Sequence, residues 1–516
     1  MEKRELTFKR NTVVSDVCAD SGCDYSLPDY KPDVRKLLYT DAQVVPSSSF
    51  IDSGEICASG IVNYSVVYLD TENKMCGAEF SSDYDFSVKC ADGCEDFYVD
   101  THLAAFSVRL VGPRKFSAKS TVISSCDILG VESIEEKGDA FPDAERELKR
   151  ISVAKRQRFC AKERALAEKM TELDGVIADD VRIIYSAAKV NIQSADFSEG
   201  AIDLKGAVEV FCLSECVGSS PESYRCSLPF DERIEASGAT DDSYLLADGV
   251  VSSLRITVNP SEFGCNITAD VIAELFVTAT DSSEIFVTSD AYSQSGATVE
   301  EHSELVYESF VASASDKSTL EISKTRDELG LSDARDIVFL DAKIKTDSIS
   351  VGKGELIFDG EIRFFGIAGE PTSEGEMTYV NFKHTVPYYR SVKIKEELTE
   401  GATVSCRATV SDASALFDRD SVELSGAVAL DFSYGERLRE SYVSSLCFAD
   451  EKTEPKKRSQ ITVYYPTADD TLFGIAKKFR TTVKDIAVSN SLSESVVSSG
   501  TLGGISAKWL MIGKSK

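Results

Sequence analysis

The feature that most constrains the fold of this chain is an internal repeat with a period of about 150 residues. A glycine followed by alternating apolar residues opens a segment at Gly60, at Gly206 and at Gly360, and these glycines lie 146 and 154 residues apart. Flanking segments recur around each glycine in the same order. Because this period is too long for a solenoid unit, the repeat predicts whole domains in tandem.

The residue pattern inside each copy predicts β-strands. Val62, Tyr64 and Val66 fall on one face of an extended segment, and the other two copies keep a similar alternation. Apolar residues at period two, rich in β-branched and aromatic types, are typical of strands. We therefore predict a mostly β fold with minor α: three tandem antiparallel β-rich domains, each with a short helix, plus a small βααβ module. In the second copy the helix is expected within residues 144–173.

The repeat also predicts where the domains begin and end. The predicted β-rich domains span residues 1–135, 145–290 and 303–440, the linker spans 441–459, and the C-terminal module spans 460–516. Within this linker, residues 451–458 are polar, charged and interrupted by proline, which is typical of linkers.

The charge balance narrows the classes of function. The 516 residues include 86 Asp and Glu against 56 Lys and Arg, which gives a formal net charge of −30. Such a surface repels phosphate backbones, so we expect no nucleic-acid partner. The charged N-terminus lacks the apolar core of a secretion signal, and no apolar run approaches the ~20 residues of a membrane span. We therefore expect a cytoplasmic protein without membrane insertion, whose fourteen cysteines are reduced.

The residue pattern indicates neither catalysis nor a cofactor or metal. The three histidines stand in unlike contexts in the three copies, which disfavours a catalytic histidine. The pairs Cys90/Cys94 and Cys212/Cys216 lack the second matched pair that zinc sites favour. The segment 513–515 ends like a phosphate-binding loop but lacks its first glycine. We expect a non-enzymatic protein with no cofactor and no metal.

The C-terminal residues reverse the charge of the chain. Residues 461–516 carry seven Lys or Arg against four Asp or Glu, a local charge of +3. Their apolar pattern predicts a strand, two amphipathic helices and a closing strand. The predicted elements are the strand Ile461–Tyr464, a helix over Leu472–Phe479 with Asp470 as its N-cap, a second helix that opens at Thr482 and ends before Asn490, and the strand Trp509–Ile512.

This module resembles the LysM family. The matching segments are Asp469–Phe473, Ile475–Phe479, Thr482–Ile486 and Asn490–Leu492. Glycan-binding members of the family hold N-acetylhexosamine chains in a groove between two loops. Here Asp469 replaces the glycine of the first loop, and residues 499–502 replace a Pro-Gly in the second. Because Asp469 adds a Cβ and a charge where the backbone approaches a sugar, we expect the module to bind a protein and not a glycan.

The two altered loops define the predicted partner-binding site. Its residues are Thr467, Ala468, Asp469, Asp470, Leu472, Asn490 and Leu492. Leu472 and Leu492 are expected to be apolar anchors, and the other residues shape the rim.

The N-terminal segment Asp24–Leu38 resembles the opening motif of the SPOCS family. The second and third copies lack this motif and are assigned to the family by their strand pattern alone. Tandem SPOCS domains followed by a LysM module are found in spore-coat morphogenetic proteins of clostridia. The resemblance implies a sporulation scaffold in the mother-cell cytoplasm, at the forespore surface. It would bind a coat morphogenetic ATPase through the LysM module, together with other coat proteins. The alternative is a LysM protein that binds peptidoglycan or N-acetylglucosamine.

Overall fold

The computed structural model describes residues 4–90, 94–136, 144–161, 163–294, 298–372, 376–399, 401–448, 461–467, 470–492 and 509–513. Antiparallel strands make up most of these residues, and the α-helices among them lie in the C-terminal module. The predicted fold class, mostly β with minor α, is therefore confirmed.

Each copy of the repeat forms its own pair of sheets. The first copy contains β1 (Arg4–Ser26), β2 (Val34–Asp52), β3 (Glu55–Asp70), β4 (Met75–Lys89), β5 (Cys94–Gly112) and β6 (Lys115–Glu136). The second contains β7 (Ala144–Cys160), β8 (Arg164–Asp174), β9 (Val181–Ser198), β10 (Ala201–Cys216), β11 (Glu222–Glu235), β12 (Tyr244–Pro260) and β13 (Gly264–Ser293). The third contains β14 (Thr298–Thr325), β15 (Asp336–Gly352), β16 (Glu355–Pro371), β17 (Met377–Lys393), β18 (Ala402–Phe417) and β19 (Ser421–Phe448).

The order of strand pairing is the same in the three copies. The first copy has sheets β1-β6-β5 and β2-β3-β4, and the third repeats this order as β14-β19-β18 and β15-β16-β17. In the second copy the first strand is divided into β7 and β8, which both pair with β13 beside β12, and β9-β10-β11 form the other sheet. Apolar side chains from both sheets of a copy form a common core, as in a β-sandwich.

The prediction of a helix within residues 144–173 is wrong. Most of this segment forms the strands β7 and β8, and a 3-10 turn at Ala178–Asp180 is the only helical element among the described residues of the three copies. The segment is rich in Ala, Glu, Lys and Arg, which favour helices, but pairing with β13 along both strands overrides that weak preference. The predicted linker also begins too early, because residues 441–448 belong to β19.

The repeated glycine has the same structural role in each copy. A Cβ on Gly60, Gly206 or Gly360 would lie 2.5, 2.3 or 2.1 Å from a backbone oxygen of the neighbouring strand. The register of that strand shifts beside each of these glycines. A β-bulge therefore brings the neighbouring backbone closer than a side chain would allow.

The three copies pack together around one aromatic cluster. Tyr39, Tyr185 and Phe339 each lie 21 residues before the repeated glycine, and their ring centroids are 4.7 to 5.5 Å apart. The Tyr39 hydroxyl donates a hydrogen bond of 2.7 Å to Asp341, and the Tyr185 hydroxyl donates one of 3.1 Å to Asp41. Burial and these carboxylates raise the pKa of both tyrosines. Equivalent residues from the three copies therefore meet around a pseudo-threefold axis.

Candidate functional site

The C-terminal module has the predicted strand–helix–helix–strand order. It consists of β20 (Ile461–Tyr464), α1 (Leu472–Phe479), α2 (Val483–Asn490) and β21 (Leu510–Gly513), and β20 pairs antiparallel with β21. Apolar residues of both helices and both strands form one core under the sheet. This module also contains Trp509, the single tryptophan of the chain.

Threonines cap both helices. The Thr482 hydroxyl accepts a hydrogen bond of 2.9 Å from the amide of Asp485, as the predicted start of α2 requires. For α1 the cap is Thr471, which accepts a 3.0 Å bond from the amide of Gly474, and not Asp470. The extended backbone of Thr471, directly before the first helical residue, places its hydroxyl over that amide.

Asp470 instead closes the loop that enters α1. Its carboxylate accepts a 2.7 Å bond from the amide of Thr467 and a 2.9 Å bond from the hydroxyl of Tyr464. These hydrogen bonds, the backbone one foremost, lower the pKa of Asp470. Thr467 itself is exposed. Ala468 and Asp469, which were predicted to shape the rim of the binding site, lie outside the described residues.

The remaining predicted site residues are largely engaged within the module. Leu472 is 1% exposed and packs in the core, so a partner cannot contact it as a surface anchor. Asn490 donates bonds of 2.8 Å to the carbonyl of Ile486 and 2.7 Å to that of Met511, and it also accepts from the Met511 amide. The two bonds with Met511 tie the end of α2 to β21. Leu492 is partly buried against the core and keeps some surface beside the predicted rim.

The outer face of the two-stranded sheet is apolar and exposed. Tyr464, Leu510 and Ile512 point toward the helices, so the residues alternating with them point away. The exposed residues on that side are Ile461, Val463, Tyr465 and Trp509, with Tyr465 68% and Trp509 47% exposed. This face was not among the predicted site residues. The alternation of Ile461, Val463 and Tyr465 was the signal that could have found it.

The opposite side of the module docks on the second and third copies. The ammonium group of Lys477 lies 2.5 Å from Asp290 at the end of β13 and 2.5 Å from Glu300 at the start of β14. Burial alone would lower the pKa of Lys477, but the two carboxylates raise it overall. The Tyr292 hydroxyl donates a 2.5 Å bond to the Thr481 carbonyl, and its ring packs edge-on against Phe473. This docking leaves the apolar sheet face free.

Comparison with known families identifies this module. A family model for the LysM domain matches residues 467–502. No curated protein and no solved structure matches the chain significantly. The C-terminal module is therefore a LysM domain, as its motifs predicted.

Two further properties describe the part of the chain that the structure covers. None of its helices has the length and apolar character needed to cross a membrane. The described residues bring together no group of three or more His, Cys, Asp or Glu side chains that could hold a metal ion.

Proposed function

We propose that the chain is a non-enzymatic scaffold that uses its LysM domain to bind a partner protein. The observation that carries this proposal is the apolar sheet face of Ile461, Val463, Tyr465 and Trp509, which the docked module leaves exposed. Exposed apolar surface of this kind is typical of protein contacts, and aromatic residues contribute most of the energy in such interfaces.

The charge of the module supports a protein partner with an acidic surface. The module carries a local charge of +3 within a chain of −30. Charge complementarity increases the rate of association, and the apolar face would then supply the affinity. We expect the association rate to fall as salt is added, because exposed charges are screened.

The biological setting of this proposal rests on the resemblance of Asp24–Leu38 to the SPOCS family. In that setting the chain acts in the mother-cell cytoplasm, at the forespore surface. It links spore-coat assembly to that surface by binding the coat morphogenetic ATPase and other coat proteins. The three β copies then provide the structural body of the scaffold, without catalysis and without a cofactor.

Binding of the purified coat morphogenetic ATPase by the full chain tests the proposal. We expect Val463→Glu to weaken binding about tenfold or more, because a charge would be buried in an apolar contact. Leu492→Glu, which changes a predicted apolar anchor, is expected to weaken binding as well. Leu416→Glu is the matched control, because Leu416 is an exposed leucine on β18 in the third copy. Unchanged binding by both module variants would contradict a LysM-mediated contact.

A second candidate function is binding of peptidoglycan. The LysM match and the exposed aromatic rings of Tyr465 and Trp509 favour it, because flat aromatic side chains can stack on sugars. Sedimentation with purified peptidoglycan and calorimetry with N-acetylglucosamine oligomers separate the two functions. Saturable binding of the oligomers would replace the protein-contact proposal with the carbohydrate one.

A further inference from the structure

An equivalent loop and turn meet at one end of each copy. The loop joins the first and second strands of the copy, and the turn joins its last two strands. One backbone hydrogen bond links the first loop residue to the last turn residue in every copy. The three bonds run from Leu27 to Arg114 over 2.8 Å, from Gly175 to Phe263 over 2.7 Å and from Arg326 to Asp420 over 3.1 Å. These bonds define equivalent positions, so the side chains there can be compared directly.

In the first copy, side chains fill the space between the loop and the turn. Leu27 is buried in the core. The Arg114 guanidinium donates bonds of 2.7 Å to the Pro28 carbonyl and 3.0 Å to the Lys31 carbonyl, and it pairs with Asp33 at 2.7 Å. Arg114 therefore closes this end of the copy.

The third copy fills the same space with other residues. The guanidinium carbon of Arg326 lies 4.6 Å from the centre of the Phe417 ring. Leu329, Leu331 and Ala334, from the loop itself, are buried in the core of the copy. Two copies of different sequence therefore both close this end.

The second copy leaves the space open. Gly175 stands at the position of Leu27 and has a backbone φ of +72°, which disfavours a side chain. Phe263 stands at the position of Arg114 and is 75% exposed, and Ile177 across from it is 67% exposed. Between residues 175–179 and 260–264 lies a cleft of about 370 Å³. Its volume suits one or two side chains of a partner.

The surroundings of the cleft are acidic. Asp179 lines it, and Asp174, Asp180 and Glu262 lie next to it along the chain. All four side chains are exposed, and none forms an ion pair within the described part of the chain. A partner that enters the cleft would therefore meet uncompensated negative charge beside an apolar rim.

We propose that this cleft binds an apolar side chain carried by a basic segment of a partner protein. Phe263 and Ile177 would contact the apolar side chain, and the four carboxylates would attract the flanking Lys or Arg residues. The proposal does not depend on the LysM domain, which docks on β13 near Asp290 and Tyr292. In this proposal the second copy carries a partner-binding cleft, whereas the first and third copies are closed at the equivalent end.

The test measures binding of a fluorescent peptide, Lys-Lys-Leu-Phe-Lys-Lys, to the full chain by fluorescence anisotropy. We expect saturable binding that the double variant Ile177→Ser with Phe263→Ser weakens about tenfold or more. Phe263→Arg, which introduces the residue of the first copy, is expected to weaken binding to a similar degree while preserving the fold. Tyr389→Ser is the matched control, because Tyr389 is an exposed aromatic residue on β17.

Two matched peptides separate the apolar and electrostatic parts of the proposal. Glu-Glu-Leu-Phe-Glu-Glu keeps the apolar side chains and reverses the charge, and Lys-Lys-Ser-Ser-Lys-Lys keeps the charge alone. We expect both to bind about tenfold more weakly than the basic apolar peptide. The proposal would be overturned if either matched peptide bound as tightly as the basic apolar peptide. It would also be overturned if the cleft variants bound that peptide as tightly as the parent chain does. Self-association of the chain that depends on Phe263, seen by sedimentation velocity, would assign the cleft to a second copy and overturn it too.

Discussion

The three repeated glycines show how one residue type can reveal a backbone constraint directly in the sequence. At Gly360 the carbonyl oxygen of Lys345 occupies the space that a Cβ would need. The bulge in β15 requires this close approach, so the glycine remains while the apolar residues after it vary among copies. The predicted partner-binding residues carry no comparable constraint in the sequence. The loop sequence does not show which side chains point into the core, and Leu472, predicted as a surface anchor, is buried.

Replacement of Gly360 by alanine is expected to destabilise the chain by about 2 kcal/mol, because a backbone oxygen must move to admit the methyl group. Urea unfolding measures the change. Gly112→Ala is the control, since no atom lies within 4 Å of a Cβ built there, and its effect should stay within ~0.5 kcal/mol. Equal destabilisation by both substitutions would show that the bulge contact is not the cause.

Asp470→Asn is expected to loosen the loop that enters α1 and to lower the melting temperature of the LysM domain. The cause is the weaker acceptor offered to the Thr467 amide and the Tyr464 hydroxyl. Because the pKa of Asp470 is lowered from 3.8, its stabilising contribution is present above that pH and is lost as the pH falls below it. Fluorescence of Trp509, the single tryptophan, reports on this domain alone. A variant that melts at the parent temperature would contradict the role assigned to Asp470.

At the scale of elements, the period of the apolar pattern predicted strands well wherever one face of the strand is buried. It predicted β3 and β10 correctly, because their buried residues alternate. It failed for β7, where only a few residues are buried and the remainder are charged helix formers. The LysM elements were predicted nearly to the residue because both helices carry an apolar stripe, although the N-cap of α1 is Thr471 and not the predicted Asp470. The docking of this domain was not predicted, because the ion pairs of Lys477 join residues far apart in the chain.

Lys477→Glu is expected to release the LysM domain from the body of the chain, because it places a carboxylate against Asp290 and Glu300. After tryptic cleavage within residues 451–459, the second half of the predicted linker 441–459, the parent module should co-elute with the body on size exclusion. The variant module should elute separately. Lys484→Glu, an exposed lysine on α2, is the control. Co-elution of the Lys477→Glu module would contradict the docking contact.

The ion pairs of Lys477 with Asp290 and Glu300 also predict that docking of the LysM domain weakens at alkaline pH. The pKa of Lys477 is raised from 10.5 by its two carboxylates, so the charged form and the ion pairs persist at and below that value. Docking should weaken only as the pH rises through the raised pKa, and co-elution of the cleaved module measures this. Release of the module near neutral pH would contradict the assignment.

At the scale of the whole molecule, the three copies depend on one another. The cluster of Tyr39, Tyr185 and Phe339 is buried only because each copy supplies one ring. The sequence indicated three tandem domains, but it could not show that they close around an axis. The residues that meet there are apolar or aromatic like any core residue, and nothing in their local pattern distinguishes them.

Phe339→Ala is expected to destabilise all three copies together, by about 3 kcal/mol or more. The lost ring lines the shared cluster, so no copy should keep its original stability. Calorimetry should show one transition for the body, in both the parent chain and the variant. Three separate transitions, with only the third copy affected, would show that the copies fold as independent domains.

The axis has a consequence for how such a chain can diversify. In a trimer of identical subunits every substitution appears three times, so a change that opens one site opens all three. Here the subunits are covalently joined, and a substitution alters a single position of the ring. One covalent chain can therefore have an open cleft at Phe263 in the second copy, while the equivalent ends of the first and third copies stay closed. It can also dock a single LysM domain between Asp290 and Glu300. Joining the copies in one chain thus converts a symmetric assembly into a body with distinct sides.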